Sequence, residues 1–159
     1  FFPHPGWSEQ NPEDWFAQSL EGIKELTAGI DKTQVAGISF GGQMHGLVML
    51  DGNNEVIRNS IIWCDGRTTE ECREIEATVG KERLMEITCN PALEGFTAGK
   101  IMWVKKHEPE NYARCKHILL PKEYAKNTCY KIKNLFSEFK IQFCVPTNNH
   151  ICNHLNKVK

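Results

Sequence analysis

Between residues 35 and 64 the chain alternates short apolar runs with turn signals, and that alternation restricts its fold more than any other feature. Residues 35–40 are apolar and end at Gly41-Gly42, which predicts a buried strand followed by a tight backbone turn. Residues 47–50 predict a second strand. Asp51-Gly52-Asn53-Asn54 is a hairpin turn signal, with residues 55–58 returning. Residues 61–64 form a further apolar run. Helical periodicity surrounds these runs. Asn11 suits an N-cap and Pro12 the first helical position, and Glu13 and Asp14 favour the positive end of the dipole. Trp15, Leu20, Ile23 and Leu26 then recur at helical spacing, with Gly29 as the expected stop.

Further helices are expected over residues 68–79, with Cys72, Ile75 and Val79 on one side, over 81–87, over 98–107 and from Glu110 to Cys115. A short strand over 117–120 should end at Pro121. Strands alternating with helices make the class α/β. The 33 residues from 127 onward differ: they hold five Lys and six Asn, and Glu138 is their one acid. The expected division is a domain over residues 1–125 and an atypical tail over 126–159, either disordered or read out of frame.

Charge and cysteine content narrow the function classes. Lys plus Arg is 19 and Asp plus Glu is 20, a net charge of −1, which gives no bulk electrostatic case for nucleic acid or an anionic membrane. No run approaches 18 apolar residues, so no transmembrane helix is expected. The first residue is Phe, which predicts a start cut from something longer. Seven cysteines, odd in number and without a CxxC, predict reduced thiols in a cytoplasmic protein rather than a disulfide framework. Cys144, His150, Cys152 and His154 can be drawn as a zinc site, but their spacing matches no known finger.

Three segments carry candidate chemistry. Gly41-Gly42-Gln43-Met44-His45-Gly46 puts Gln, Met and His just past a buried strand, where open α/β sheets bind ligands. His45 there either hydrogen-bonds a ligand hydroxyl or packs locally. The glycines form no phosphate loop, because no GxGxxG or GK[ST] is present. In Trp63-Cys64-Asp65-Gly66-Arg67-Thr68, Trp63 offers a flat face for a sugar ring, with Asp65 as acceptor and Arg67 as forked donor. The same residues also read as a core Trp followed by a helix cap. In the third segment, residues 90–100, small residues precede a helix, and Lys100 reads as a solvated surface charge.

Gly42-Gln43-Met44-His45-Gly46-Leu47-Val48-Met49-Leu50-Asp51 resembles the sugar-binding segment of the xylulokinases, within the FGGY (Phe-Gly-Gly-Tyr) carbohydrate kinase family. Pro5-Gly6-Trp7-Ser8-Glu9-Gln10-Asn11-Pro12-Glu13-Asp14-Trp15 resembles the family's opening segment. Ile61-Ile62-Trp63-Cys64-Asp65-Gly66-Arg67-Thr68 resembles its next strand and helix start. Asn90-Pro91-Ala92-Leu93, Gly95-Phe96-Thr97-Ala98 with Lys100, His107-Glu108-Pro109-Glu110-Asn111 and Leu119-Leu120-Pro121-Lys122-Glu123-Tyr124 follow in the family's order.

The resemblance implies a ribonuclease-H-like (actin-like ATPase) fold, as a partial first domain of a two-domain sugar kinase. It implies transfer of the ATP γ-phosphate to the terminal hydroxyl of D-xylulose or a similar ketose, with Mg2+, and a homodimer of the full-length enzyme. Met44 and His45 carry over as substrate contacts, Gln43 as support for their turn, and Trp63 and Asp65 as lining of the same cleft. The resemblance places the phosphate-and-metal loop before residue 1 and the catalytic Asp in a second domain, so no catalytic or metal residue is expected within this chain and ATP is expected only with those regions. The expected product is a kinase fragment inactive alone. The alternatives are a non-catalytic sugar-binding remnant or another FGGY kinase acting on ribulose, gluconate or glycerol.

Overall fold

A computed structural model describes residues 1–31, 34, 35 and 41–128. The strand expected to end at Phe40 falls almost wholly outside the described residues. So do the residues after 128, with Cys144, His150, Cys152 and His154. The elements in chain order are β1 (Glu9–Gln10), α1 (Pro12–Leu26), β2 (Val48–Leu50), β3 (Ser60–Ile61), α2 (Thr69–Val79), α3 (Lys81–Thr88), α4 (Thr97–His107), α5 (Pro109–Arg114), β4 (His117–Leu119) and α6 (Pro121–Thr128). None of the described helices is long and apolar enough to cross a membrane.

The described strands pair antiparallel. β1 lies against β3, Glu9 opposite Ile61, and β2 against β4, Met49 opposite Ile118. A bridge from Leu47 N–H to the Ile61 carbonyl (2.9 Å) joins the two ladders. The Asp51 turn forms as expected. Asp51 Oδ1 accepts from the backbone of Asn53 (2.8 Å) and Glu55 (3.0 Å), and Asn54 takes the left-handed conformation, φ 63°. Those two bonds to the ionised form hold the Asp51 carboxyl below its ordinary pKa.

Residues 47–50 are an unbroken apolar run because both faces of that strand are covered. Leu47 and Met49 pack with Ile61, Trp103 and Val104 on one side, and Val48 and Leu50 with Tyr124 on the other. The first cluster belongs to α4, the second to α1 and α6, whose Trp15 and Tyr124 meet edge to face. Tyr124 Oη also donates to Glu13 Oε1, tying α6 to the first turn of α1.

Helix α1 starts as the sequence dictates: Asn11 Oδ1 accepts from Glu13 N–H (3.2 Å). It stops at Leu26, before Gly29: at Thr27 the backbone leaves helical geometry (φ −99°, ψ 2°), and Ala28 N–H bonds the Glu25 carbonyl three residues back (3.3 Å). On α2, Val79 is exposed rather than aligned with buried Cys72. The buried face of α4 is Gly99, Lys100, Trp103 and Val104. Pro121 ends β4 as expected and also opens α6, where its missing N–H costs nothing.

The opening segment does more than lead into a helix. Glu9 becomes the centre of an internal charge cluster. It pairs with Arg58 and with Arg67 (2.8 Å), and Arg58 reaches Glu108 (2.9 Å). The Arg67 guanidinium is buried, 4.0 Å from the Trp7 ring centroid and 4.8 Å from that of Trp103.

Candidate functional site

Residues 41–46 cross the surface without regular structure, and neighbours fix them at both ends. Gln43 Nε2 donates to Gln10 Oε1 (2.7 Å), an oxygen that also accepts from Trp15 Nε1 (3.1 Å). The Gln43 carbonyl accepts from Lys122 N–H (3.3 Å). At Gly46 the chain presses on the start of α6: a Cβ there would lie 2.5 Å from Pro121 Cγ, so only glycine fits. Gln43 is thus tied to Gln10 through its side chain and to α6 through its carbonyl.

The middle of the bend faces outward. Met44 is 46% exposed. His45 is exposed and has φ 64°, a left-handed conformation that a non-glycine residue adopts at a cost. Its ring stacks on Phe96, centroids 4.6 Å apart and planes 25° apart. Its carbonyl accepts from Lys100 Nζ (2.8 Å) and Thr97 Oγ1 (3.2 Å).

Trp63 is 59% exposed and is not a core side chain. The strand that should have buried it ends at Ile61. Ile62 N–H then bonds the Ser8 carbonyl (3.1 Å), Asp65 N–H bonds back to Ile62 (3.1 Å), and the chain turns outward at Trp63. The Trp63 backbone touches the segment that carries Phe96: a Cβ on Gly95 would meet the Trp63 carbonyl oxygen at 2.8 Å. The Gly95–Phe96 segment therefore meets the Trp63 backbone on one side and the His45 ring on the other.

Asp65 sits elsewhere. It is 1% exposed, and its oxygens accept from Ser8 N–H, Arg67 N–H (3.0 Å), Arg67 Nε (2.9 Å) and an Arg67 terminal nitrogen (2.8 Å). Both lone-pair faces are taken, so Asp65 shapes the turn and offers no acceptor at the surface. Arg67 is likewise internal and is no surface donor.

Lys100, expected in solvent, is fully buried, 0% exposed. Its ammonium donates to the carbonyls of His45 and Gly95. Burial pushes its pKa from an ordinary 10.5 down to about 8, with Asp65 opposing the shift. Phe96, Thr97 and Lys100, all in the third candidate segment, are the side chains that the structure sets against His45. The signal existed for Lys100: it precedes Trp103 and Val104 by three and four residues, which puts it on their face of the helix.

Beside the His45–Phe96 stack opens a cavity of about 440 Å³, lined largely by apolar side chains including Cys72, Ile75, Leu84, Pro91 and Phe96. Burial raises the Cys72 thiol pKa, which suits packing and not reactivity. The cysteines at 64, 72, 89 and 115 are free thiols. Among the described residues no three His, Cys, Asp or Glu side chains gather in a way that could hold a metal ion.

This arrangement matches known proteins. The model of the N-terminal domain of the FGGY family of carbohydrate kinases matches residues 1–138. A xylulose kinase of Bacillus subtilis is 47% identical over 123 residues, covering 76% of this chain and 24% of its own. One from Lactococcus lactis is 45% identical over 139 residues, 86% of this chain and 27% of its own. The chain thus spans about a quarter of the length of the curated relatives it matches. Among solved structures, a xylulose kinase from Brucella ovis superposes with a TM-score of 0.74 at 39% identity over 79% of this chain and 26% of its own. A gluconate kinase from Lactobacillus acidophilus gives 0.72 at 26% identity over 79% and 25%. The fold is the actin-like ATPase fold of these sugar kinases, and the chain belongs to the FGGY family of carbohydrate kinases, to its N-terminal domain.

Proposed function

We propose that this chain is part of the sugar-binding wall of an ATP-dependent kinase that phosphorylates D-xylulose at its terminal hydroxyl. The observation that carries this is His45 itself: an exposed imidazole on a left-handed bend, backed by Phe96 and braced through Gln43. A neutral imidazole presents one donor and one acceptor, a match for two neighbouring hydroxyls. Trp63 supplies an apolar face for the carbon side of the ketose, and Met44 a soft contact. Asp65 acts in this proposal only by holding the Trp63 turn.

In phosphoryl transfer a bond from the γ-phosphorus to its bridging oxygen breaks and one to the sugar oxygen forms, while the hydroxyl proton leaves to a base. Much of the acceleration comes from alignment and charge neutralisation. The described residues supply alignment. Mg2+ would travel with ATP, and among the described residues no three His, Cys, Asp or Glu side chains gather to hold it. By the family resemblance the base is an Asp of a second domain, and the nucleotide binds there. ATP supply and free thiols together favour the cytoplasm.

The test pairs binding with turnover. Saturation-transfer NMR on the chain should detect D-xylulose, and excess glycerol should not displace it. Preferential binding of gluconate favours the second reading, which the gluconate kinase likeness keeps in view. With ATP and D-xylulose together, a coupled assay should register no ADP release. Sustained release would contradict a positioning-only role for this chain.

A further inference from the structure

We propose that Lys100, although it touches no substrate, is the positioning residue of the sugar-binding bend, holding His45 and Phe96 in register through the carbonyls of His45 and Gly95. The inference deepens the ketose-binding reading above and rests on it.

Three observations converge on it. First, His45 occupies a left-handed backbone region that is costly for a residue with a side chain, and such conformations persist only where surroundings over-determine them. Its carbonyl is the group that Lys100 and Thr97 hold. Second, the Lys100 ammonium reaches two segments at once. His45 follows the Gln-Met pair, and Gly95 precedes the aromatic on which the His45 ring rests. One cation therefore fixes the relative position of the imidazole and its backing ring. Third, the placement is expensive. Lys100 is fully buried, takes part in none of the ion pairs among the described residues, and its proton is held less tightly for that reason. A methionine of similar length would fill the same space without the desolvation cost. Its burial is explained if the ammonium does what a methyl group cannot, which is to bond two carbonyls from different segments.

α4 is placed to deliver this. Thr97 and Lys100 are three residues apart, one helical turn, so both point back over the N-terminal end of α4 toward the bend. Gly99 lets the same turn pack closely on the start of α2: a Cβ there would lie 3.0 Å from Thr68 Oγ1.

The experiment uses the full 159-residue chain with labelled His and Lys side chains. D-xylulose is titrated into the wild type, Lys100→Met and Lys100→Arg. In the wild type, the His45 ring and Lys100 Nζ signals should move together with one dissociation constant. Lys100→Met should stay cooperatively folded, lose the ring-current shift that Phe96 imposes on His45, and bind D-xylulose at least tenfold more weakly. Lys100→Arg, which keeps the charge and a fork of donors, should recover most of that loss. If the Met variant does not fold, the wild-type titration decides alone: a Lys100 signal unmoved while His45 saturates overturns the proposal. Unchanged affinity and an unchanged His45 ring shift in a folded Lys100→Met also overturn it while leaving the ketose reading intact. If D-xylulose moves neither residue in the wild type, the ketose reading fails and this inference falls with it.

Discussion

Lys100 illustrates how one residue carries a measurable pH signature. Its folded pKa, about 8, lies below the ordinary 10.5. Between those values the unfolded chain binds more protons than the folded one, so this group makes the fold more stable as pH rises. The slope reaches at most about 1.4 kcal/mol per pH unit. Burial raises the thiol pKa of Cys72 and Cys115, and these groups act in the opposite sense at alkaline pH, so comparison with a variant isolates the lysine. Urea unfolding of wild type and Lys100→Met at pH 8 and pH 10 should show their stability difference moving in favour of the wild type at the higher pH. A constant difference contradicts the buried, proton-losing lysine. Gly46 gives a steric counterpart. Gly46→Ala drives a methyl group into Pro121, and thermal melts should show destabilisation on the order of 1–3 kcal/mol. The glycines around His45 and the histidine itself were legible in the sequence. The place of Lys100 on the inner face of α4 was readable from its spacing, but its bonds were not, because a charged residue is rarely fully buried and nothing local reveals the two carbonyls it meets.

The strands and helices show which elements local pattern can fix. Residues 47–50 and the Asp51 turn were readable because a turn side chain and an apolar run act within ten residues. β1 was not: two residues after a proline-rich opening become a strand only because Ser60 and Ile61 lie alongside. Trp63 left its expected strand for a similar reason, since Ser8 and Asp65 redirect the backbone. The internal charge cluster is the element-scale feature least visible in advance. Glu9, Arg58, Asp65 and Arg67 come from three separate stretches, and nothing in any one stretch shows that the four meet. Arg67 binds β1 to the Trp63 turn through Glu9 and Asp65. Arg67→Met leaves two buried carboxylates short of a partner, and chemical unfolding should show a loss of about 3–5 kcal/mol. A loss under about 1 kcal/mol would mean that the cluster is solvated in solution.

Across the whole molecule, the described residues hold a bend that is tied to Gln10 and Lys100 and backed by Phe96, with the Trp63 backbone against Gly95. Strand β2, which follows the bend, is buried on both faces, which fixes the bend relative to α4 and α6. The family was legible from motif order, because six short segments in sequence specify more than any one of them. Of the candidate site, the sequence singled out Met44, His45 and Trp63, which the structure leaves exposed, while the burial of Asp65 and Lys100 depends on contacts that no local pattern shows. The most direct test of the account is the affinity of the chain for D-xylulose with and without the His45 imidazole. Isothermal titration should give saturable binding for the wild type and at least a tenfold weaker constant for His45→Ala, whose melting curve should stay cooperative. Equal affinities for the two folded proteins would contradict the claim that His45 grips the sugar.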